Sequence, residues 1–552
     1  MQMPTAPRGV TYVDVDTAYV EPRGLNRFAG IWSLWALGVG AVISGHFSGW
    51  NFGLATGGWG GMLAAAVIMA GMYLCLVFCI AEMSAALPHT GGSYVFASAA
   101  MGPTGGFVSG LCENVEYVIT PAVICFFIGS YLGGIFGDVM PPWVWWVATY
   151  ALFIGLNMLG VALSFRITLV VTLASLAILL VFFVSALPQI DINRWALNIA
   201  PDGSELRGGN GPLFPMGWQG ILASLPYAVW LYLAIEELPL AAEESIDPVR
   251  DMPKGIVLAL ATLIVTALFV VILNASIAGV GSHRLATSGE PLLDGFRAIF
   301  GGVSAKLLGL VALSGLIASF HAILYAQGRQ IFALSRAGYL PAALSVTHEA
   351  SQTPHIAMLT GAGLGLAIML ALWFGLGGQQ AAPVIGSVLL NMAVFGAMLS
   401  YISRAASFII LRWRYPHMPR PYRSPFGIAG AVVTIVVSLV TLGFQLQDAN
   451  FATGLVWVIA WIGIGLAYFA VMGRHRLATS SEQAFARQLG PRGPSGPWLS
   501  NHSLAWLTVL GMGLMGLMRD GSNSDLTLLM CSTGAVVLFC CGFRPGAQSS
   551  RS

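Results

Sequence analysis

Long apolar runs separated by short polar breaks dominate the chain. Runs of roughly 18 or more apolar residues, the length a helix needs to cross the hydrocarbon core, fall near 28–55, 60–87, 104–136, 142–163, 167–188, 218–241, 255–281, 303–327, 355–376, 383–410, 427–447 and 452–473. They predict twelve membrane-spanning helices in a core over residues 28–473. A polar linker rich in Gly, Pro and Ser follows at 474–502, then two shorter apolar stretches, 503–518 and 525–543, predicting an additional hairpin ahead of a tail at 544–552. The first 27 residues are polar, with Asp14, Asp16, Glu21, Arg23 and Arg27, and lack the apolar core of a cleavable signal. The first helix is therefore expected to stay in the mature protein.

That first helix is not a plain anchor. From Leu37 to Gly53 the glycines Gly38, Gly40, Gly45, Gly49 and Gly53 recur at spacings of two, five, four and four, and each Gly in a helix interior costs roughly 0.5 to 1 kcal/mol relative to Ala. Two readings account for them. One is a discontinuity whose freed N–H and C=O groups bind a solute, tolerated at membrane depth only where the backbone lines a cavity or packs in protein. The other is a close-packing face of small residues, since Gly45 and Gly49 form a G-x-x-x-G pair.

Composition agrees with a polytopic all-α membrane protein: 57% of the 552 residues are hydrophobic and 9% charged, against about 25% charged in soluble domains. The net charge of +2 and the lack of a long basic run give no sign of a nucleic-acid partner. The seven cysteines lie in or beside apolar segments without a C-x-x-C pair, which predicts free thiols, with neither zinc nor a disulfide framework. Charge in the loops sets orientation. On one side stand Arg166, Arg250, Lys254, Arg329, Arg336, Arg404, Arg412, Arg414, Arg420 and Arg423, on the other Arg194, Arg207, Arg284, Arg297 and Lys306. Ten against five predicts a multi-pass protein of the cytoplasmic (inner) membrane with its N-terminus in the cytoplasm.

Three loop motifs narrow the class. They are Ala81-Glu82-Met83-Ser84-Ala85-Ala86-Leu87-Pro88-His89-Thr90-Gly91-Gly92-Ser93-Tyr94, the stretch from Ala241 to Ile256 with Glu243-Glu244-Ser245 and Asp247-Pro248, and the stretch from Gly328 to Pro341 with Ser335-Arg336-Ala337-Gly338. Together they resemble the intracellular loops of the amino acid/polyamine/organocation (APC) transporter superfamily over about residues 25 to 473. Gly110 to Val123 and Leu225 to Glu236 look most like the bacterial ethanolamine permeases. The resemblance implies the LeuT-like fold, with two inverted five-helix repeats plus two further helices and with helices one and six broken near the midplane. By motif alignment helix one unwinds at Gly49-Trp50-Asn51, beside Ser48 and one turn after His46, and helix six at Leu233-Ala234-Ile235. Relatives often carry Gly where this chain has Ala234, so a narrower break is expected there. Trp230 aligns with an aromatic gate that stacks over the bound solute, and Glu236 with an acidic residue implicated in proton coupling or gating. Its neighbour Glu237 is expected to reach the inner vestibule.

Ionisable residues at membrane depth are the candidates for chemistry, since each charge there costs about 2.5 to 3.5 kcal/mol on insertion scales. Glu113 and Glu116 lie three residues apart on one helix face. Two carboxylates so close are not both ionised in a dry site, so one holds a proton or faces a cation, and a positively charged amine suits the pair. The alternative is structural, with both bonded to Arg166 or Arg329. Trp230 has a packing alternative to holding an ammonium group by cation–π attraction, worth up to about 2 kcal/mol when desolvated. His46 is either a satisfied structural histidine or a ligand contact; an acidic residue is more usual here in the ethanolamine permeases, which leaves substrate identity open. Thr120 either lines the pocket with Pro121 or satisfies backbone that Pro121 frees.

These features predict a secondary transporter that imports a small organic amine, ethanolamine first, by alternating access. The amine would be held by carbonyls of helix one and by Glu116 or Glu236. A proton is the expected coupling ion, with sodium left open through hydroxyls such as Ser314 or Ser319. An amino acid permease is the alternative substrate reading, the N–H groups of Gly49 to Asn51 meeting the carboxylate. A transporter-like nutrient sensor is the alternative class. No metal-ligand cluster, G-x-S-x-G element or phosphate-binding glycine loop appears, so neither an enzyme, an organic or metal cofactor, nor an ATP-driven pump is expected. Oligomeric state leaves no signature in the sequence.

Overall fold

The protein is described here by a computed structural model covering residues 27–478 and Tyr12–Val13, apart from 138, 349–350, 352, 379–381 and 448–450. Without water in the bilayer core every backbone group must bond within its own segment, so the apolar runs form helices. The first span is α1 (Ile31–Val42), a bend at Ile43, α2 (Ser44–Phe47), and a 3-10 turn at Trp50–Phe52. It passes into α3 (Gly53–Ala86), where Gly58, at φ 67, marks the kink that separates it from the second span. α4 (Ser93–Phe136) kinks likewise at Gly102, so the third span proper begins at Pro103. Spans four and five are α5 (Pro142–Met158) and α6 (Val161–Ala186).

The sixth span is the second broken one. It consists of α7 (Gly217–Ala223), α8 (Leu225–Val229), a turn through residues 230–234, and a 3-10 segment, Ile235–Glu244. Then come α9 (Pro248–Asn274), two short helices α10 (Gly281–Leu285) and α11 (Pro291–Phe300), and α12 (Gly302–Arg336). The last spans are α13 (His355–Gly375), α14 (Ala382–Arg414), α15 (Gly427–Gln445) and α16 (Phe451–Val471). Nine helices among the described residues are long and apolar enough to cross a membrane; spans one, four and six are shorter or interrupted. Spans one and six, five apart and antiparallel, carry corresponding breaks. This is the inverted-repeat, LeuT-like arrangement.

Several boundaries differ from the hydropathy reading. Gly160 (φ 138) turns the chain, so α6 begins at Val161 and Arg166 lies inside it. Asp247 caps α9 by accepting from Arg250 N, drawing Arg250 and Lys254 into the first turns, and the helix ends at Asn274, seven residues before the expected 281. Arg329, Arg336, Arg404, Arg412 and Arg414 are helical as well. On the face where span one begins, the N-terminal face, β1 (Tyr12–Val13) pairs in parallel with β2 (Leu477–Ala478), and Ala478 N donates to Ala337 O at 3.0 Å. The expected additional hairpin and most of the linker lie outside the described residues.

Candidate substrate site

The glycine pattern of span one serves both readings at once. A Cβ on Gly38 would stand 2.7 Å from Leu238 Cδ1, one on Gly45 would run into the Trp230 carbonyl, one on Gly53 would lie 3.1 Å from Tyr227 Cβ, and one on Gly57 2.6 Å from Gly220 O. Span one therefore packs backbone to backbone on the antiparallel span six, as small residues allow. Gly40 instead faces Thr172 of α6. Gly49 also makes the break, through its φ of 94 next to extended Ser48 (φ −161, ψ 161). Opposite it, Ala234 adopts φ 81, a left-handed conformation that costs an L-residue roughly 1–2 kcal/mol. The turn spans five residues, 230–234.

Side chains from four elements meet the backbone freed at the break. Trp230 Nε1 donates to Ser48 O at 3.0 Å, and Tyr131 OH of α4 donates to Phe47 O at 2.7 Å. Ser319 Oγ of α12 donates to Gly40 O at 2.6 Å and accepts from Ser44 N at 2.9 Å, holding the bend at Ile43. Ser314 accepts from Ser175 Oγ at 3.3 Å. Asn51 is spent on structure: Oδ1 accepts from Gly49 N at 3.0 Å, while Nδ2 donates to Leu285 O at 2.6 Å and Ser288 O at 2.9 Å. It ties the break to the α10–α11 segment. Ser48 Oγ is likewise engaged, with Phe47 O at 2.7 Å and Gly289 O at 3.2 Å. Thr120 Oγ1 donates to Glu116 O at 2.7 Å, one residue short of the Tyr117 carbonyl that Pro121 leaves free. What remains uncommitted beside the break are both ring nitrogens of His46 and Nε1 of Trp50, all buried and without a partner. His46, Trp50 and Trp230 are at most 2% exposed, so the break is shut off from both faces.

The carboxylates lie on the N-terminal-face side of the break, Glu236 and Glu237 directly after the turn of span six. Phe52, at the break, packs on Phe127 with ring centroids 6.1 Å apart, and Glu116 precedes Phe127 by eleven residues. At 1.5 Å per residue Glu116 lies roughly 16 Å from Phe127 along α4, nearer the N-terminal face, and close to the turn of span six, where Tyr73 OH donates to Val229 O at 3.4 Å. There its carboxylate comes within interaction range of that of Glu236; neither has a hydrogen-bond partner, nor does the carboxylate of Glu237. Tyr73 and Tyr401, joined at 3.1 Å, border this pair. Glu113 is fully paired. It accepts from Ser93 Oγ at 2.6 Å and Tyr117 OH at 3.3 Å, and forms an ion pair with Arg404. Arg404 Nη1 also donates to the carbonyl of Glu236 at 2.9 Å. Glu113 thus takes Arg404, not Arg166 or Arg329, because α14 packs along α4. Glu237, expected in the vestibule, is buried at 1% exposure. Arg404 escapes a hydropathy reading, which assigns it to a helix end by its charge alone.

Nearer the N-terminal face a barrier of ion pairs closes the bundle. Arg329 binds Glu244 at 2.8 Å and lies 4.2 Å over the Tyr325 ring, whose hydroxyl also reaches Glu244. Arg336 pairs with Glu243, and Arg412 and Arg420 share Glu82. Removing one partner of a fully buried pair leaves an uncompensated charge, a cost of about 3–5 kcal/mol. Arg329→Met is accordingly expected to lower the thermal unfolding temperature in detergent sharply, with Glu244→Gln, Arg329→Met recovering much of it. An unchanged midpoint for the single variant would refute that.

The sequence profile described as amino acid permease matches residues 30–467. The chain belongs to the amino acid permease family. This permease is 28% identical over 435 residues to an uncharacterized transporter of Rhizobium meliloti (strain 1021), the match covering 77% of this chain and 88% of that protein. It is 25% identical over 489 residues to the methylthioribose transporter of Bacillus subtilis (strain 168), and 24% over 493 residues to the branched-chain amino acid permease of the same strain; each match covers 84% of this chain and 96% of the relative. The permease is a multi-pass secondary transporter and not an enzyme, and its family membership agrees with the APC superfamily resemblance carried by its loops.

Proposed function

We propose that the protein imports a small organic amine, ethanolamine first, across the cytoplasmic membrane, with the N-terminal face in the cytoplasm. One observation carries the choice. Below the break the path to the N-terminal face passes Glu113, Glu116, Glu236 and Glu237 with Arg404 as the cation paired among them. Buried charges without partners are costly, and a path with surplus carboxylate favours a cation. The amine would sit at the break between His46, Trp50 and Trp230, with Gly49 and Ala234 shaping the backbone around it. Trp230 would offer its ring face, and His46 or Trp50 would bond the hydroxyl oxygen. Protons on Glu116 and Glu236 would supply the coupling. Direct bonds from Ser319 and Ser314 to neighbouring groups favour protons over sodium.

An amino acid is the second reading. It draws on the name of the branched-chain relative and on the unpartnered N–H of Trp50, a donor suited to a carboxylate. Competition decides between the two. In proteoliposomes with an imposed pH gradient, excess unlabelled ethanolamine is expected to suppress uptake of radiolabelled ethanolamine, with alanine tenfold or more weaker. The reverse order would install the amino acid reading, and saturable binding without flux would favour a sensor.

A further inference from the structure

Arg404 lies ten residues inside the end of α14 and has no exposed surface. Burying a guanidinium costs several kcal/mol even when it is paired, and a leucine would pack the same space. Its bonds suggest what the charge does. One arm holds Glu113 on α4; the other holds the main-chain carbonyl of Glu236, just past the left-handed residue where span six resumes as a 3-10 segment. Nε has no partner. A 3-10 ladder is poorer than an α-helical one, and Pro239 inside the segment removes a further donor. The N-terminal-face half of span six is therefore held from outside, and Arg404 is the charged group that reaches it from α14 and α4 together.

The charges around the guanidinium come from each packed element. They are Glu113, Glu116 and Tyr117 on α4 and Glu236 on span six; Tyr73 on α3, Tyr401 on α14 and Glu237 on span six face the Glu116–Glu236 pair or its members. One cation thus faces three carboxylates, of which only Glu113 holds it.

We infer that Arg404 is a positioning residue that converts the charge of the Glu116–Glu236 pair into the position of the N-terminal-face half of span six. While the pair shares protons, the guanidinium stays on Glu113 and on the Glu236 carbonyl, and the half-helix is fixed. When the protons leave to water on that face, the two carboxylates draw the guanidinium off the carbonyl. The start of the half-helix then loses its hold, while Glu243 and Glu244 still tie its far end to Arg336 and Arg329. No covalent bond changes. The inference rests on the reading of Glu116 and Glu236 as the proton-coupling pair, and leaves the cargo open.

Hydrogen exchange of the full-length protein in lipid nanodiscs, followed by mass spectrometry from pH 5.5 to 8.5 without cargo, tests this. After correction for the intrinsic rate, exchange in peptides covering 235–244 is expected to rise about tenfold or more with pH, the loss of one charge-assisted hydrogen bond, while α12 stays constant. Arg404→Gln should exchange fast at every pH, and Arg404→Lys should regain part of the pH response. The double variant Glu116→Gln, Glu236→Gln should remain slow throughout. A flat wild-type profile, or a wild-type pH response in Arg404→Gln, overturns the inference, and the wild-type series decides even if a variant does not fold. If exchange responds as expected but a pH gradient fails to drive uptake, the latch stands and the coupling reading falls.

Discussion

Gly49→Val is expected to reduce the initial rate of transport about a hundredfold while the protein still inserts and folds. Two costs converge on one residue. A β-branched side chain at φ 94 is a backbone outlier, worth of order 1–3 kcal/mol. The new Cβ would also stand 2.6 Å from Trp230 Nε1, so Trp230 must release Ser48 O or the break must change shape. Together they approach 3 kcal/mol, near a hundredfold in rate. Gly49→Ala should fall between this and the wild type, and Gly71→Ala, with nothing within 4 Å of its Cβ, should be silent. Radiolabelled uptake into proteoliposomes checks the series. A Gly49→Val rate within twofold of wild type would remove the break from the mechanism.

The second large effect belongs to the carboxylate layer. Glu116→Gln and Glu236→Gln each are expected to abolish uptake driven by a pH gradient. Both carboxylates are fully buried without partners, and glutamine keeps the shape while removing the titrating proton. Counterflow exchange, in which loaded carrier returns in both directions, should survive in at least one of them, because it needs no net movement of protons. The pH dependence of exchange should flatten in the same variants. Gradient-driven uptake at the wild-type rate in either variant would clear that residue of a coupling role.

The sequence disclosed the spans because the hydrocarbon core imposes a length and a polarity on each. It misjudged ends where a single residue decides, as at Gly160 and Asp247, since a turn or a cap is local chemistry invisible to a hydropathy window. The glycines of span one could not be resolved into packing and unwinding from spacing alone. Both uses need the same residue, and only the neighbouring element separates them. Ser48, Asn51 and Thr120 read naturally as ligands by position, yet their polar atoms are consumed by Gly289, Leu285, Ser288 and Glu116, partners set by tertiary contact. Arg404 shows the opposite failure. A charge near the end of an apolar run looks like a loop residue, and only the packing of α14 on α4 reveals it inside the bundle. Glu236 and Trp230 were legible because the family motif carries them; the approach of the Glu236 carboxylate to that of Glu116 was not.

The broken pair of helices is the foundation of this account, and a cryo-electron microscopy map of the protein with ethanolamine at saturating concentration tests it most directly. The predicted map shows span one interrupted at Ser48–Gly49 and span six at 230–234, with cargo density between them in contact with Trp230. An unbroken helix through 43–53, or cargo density lodged elsewhere in the bundle, would contradict it.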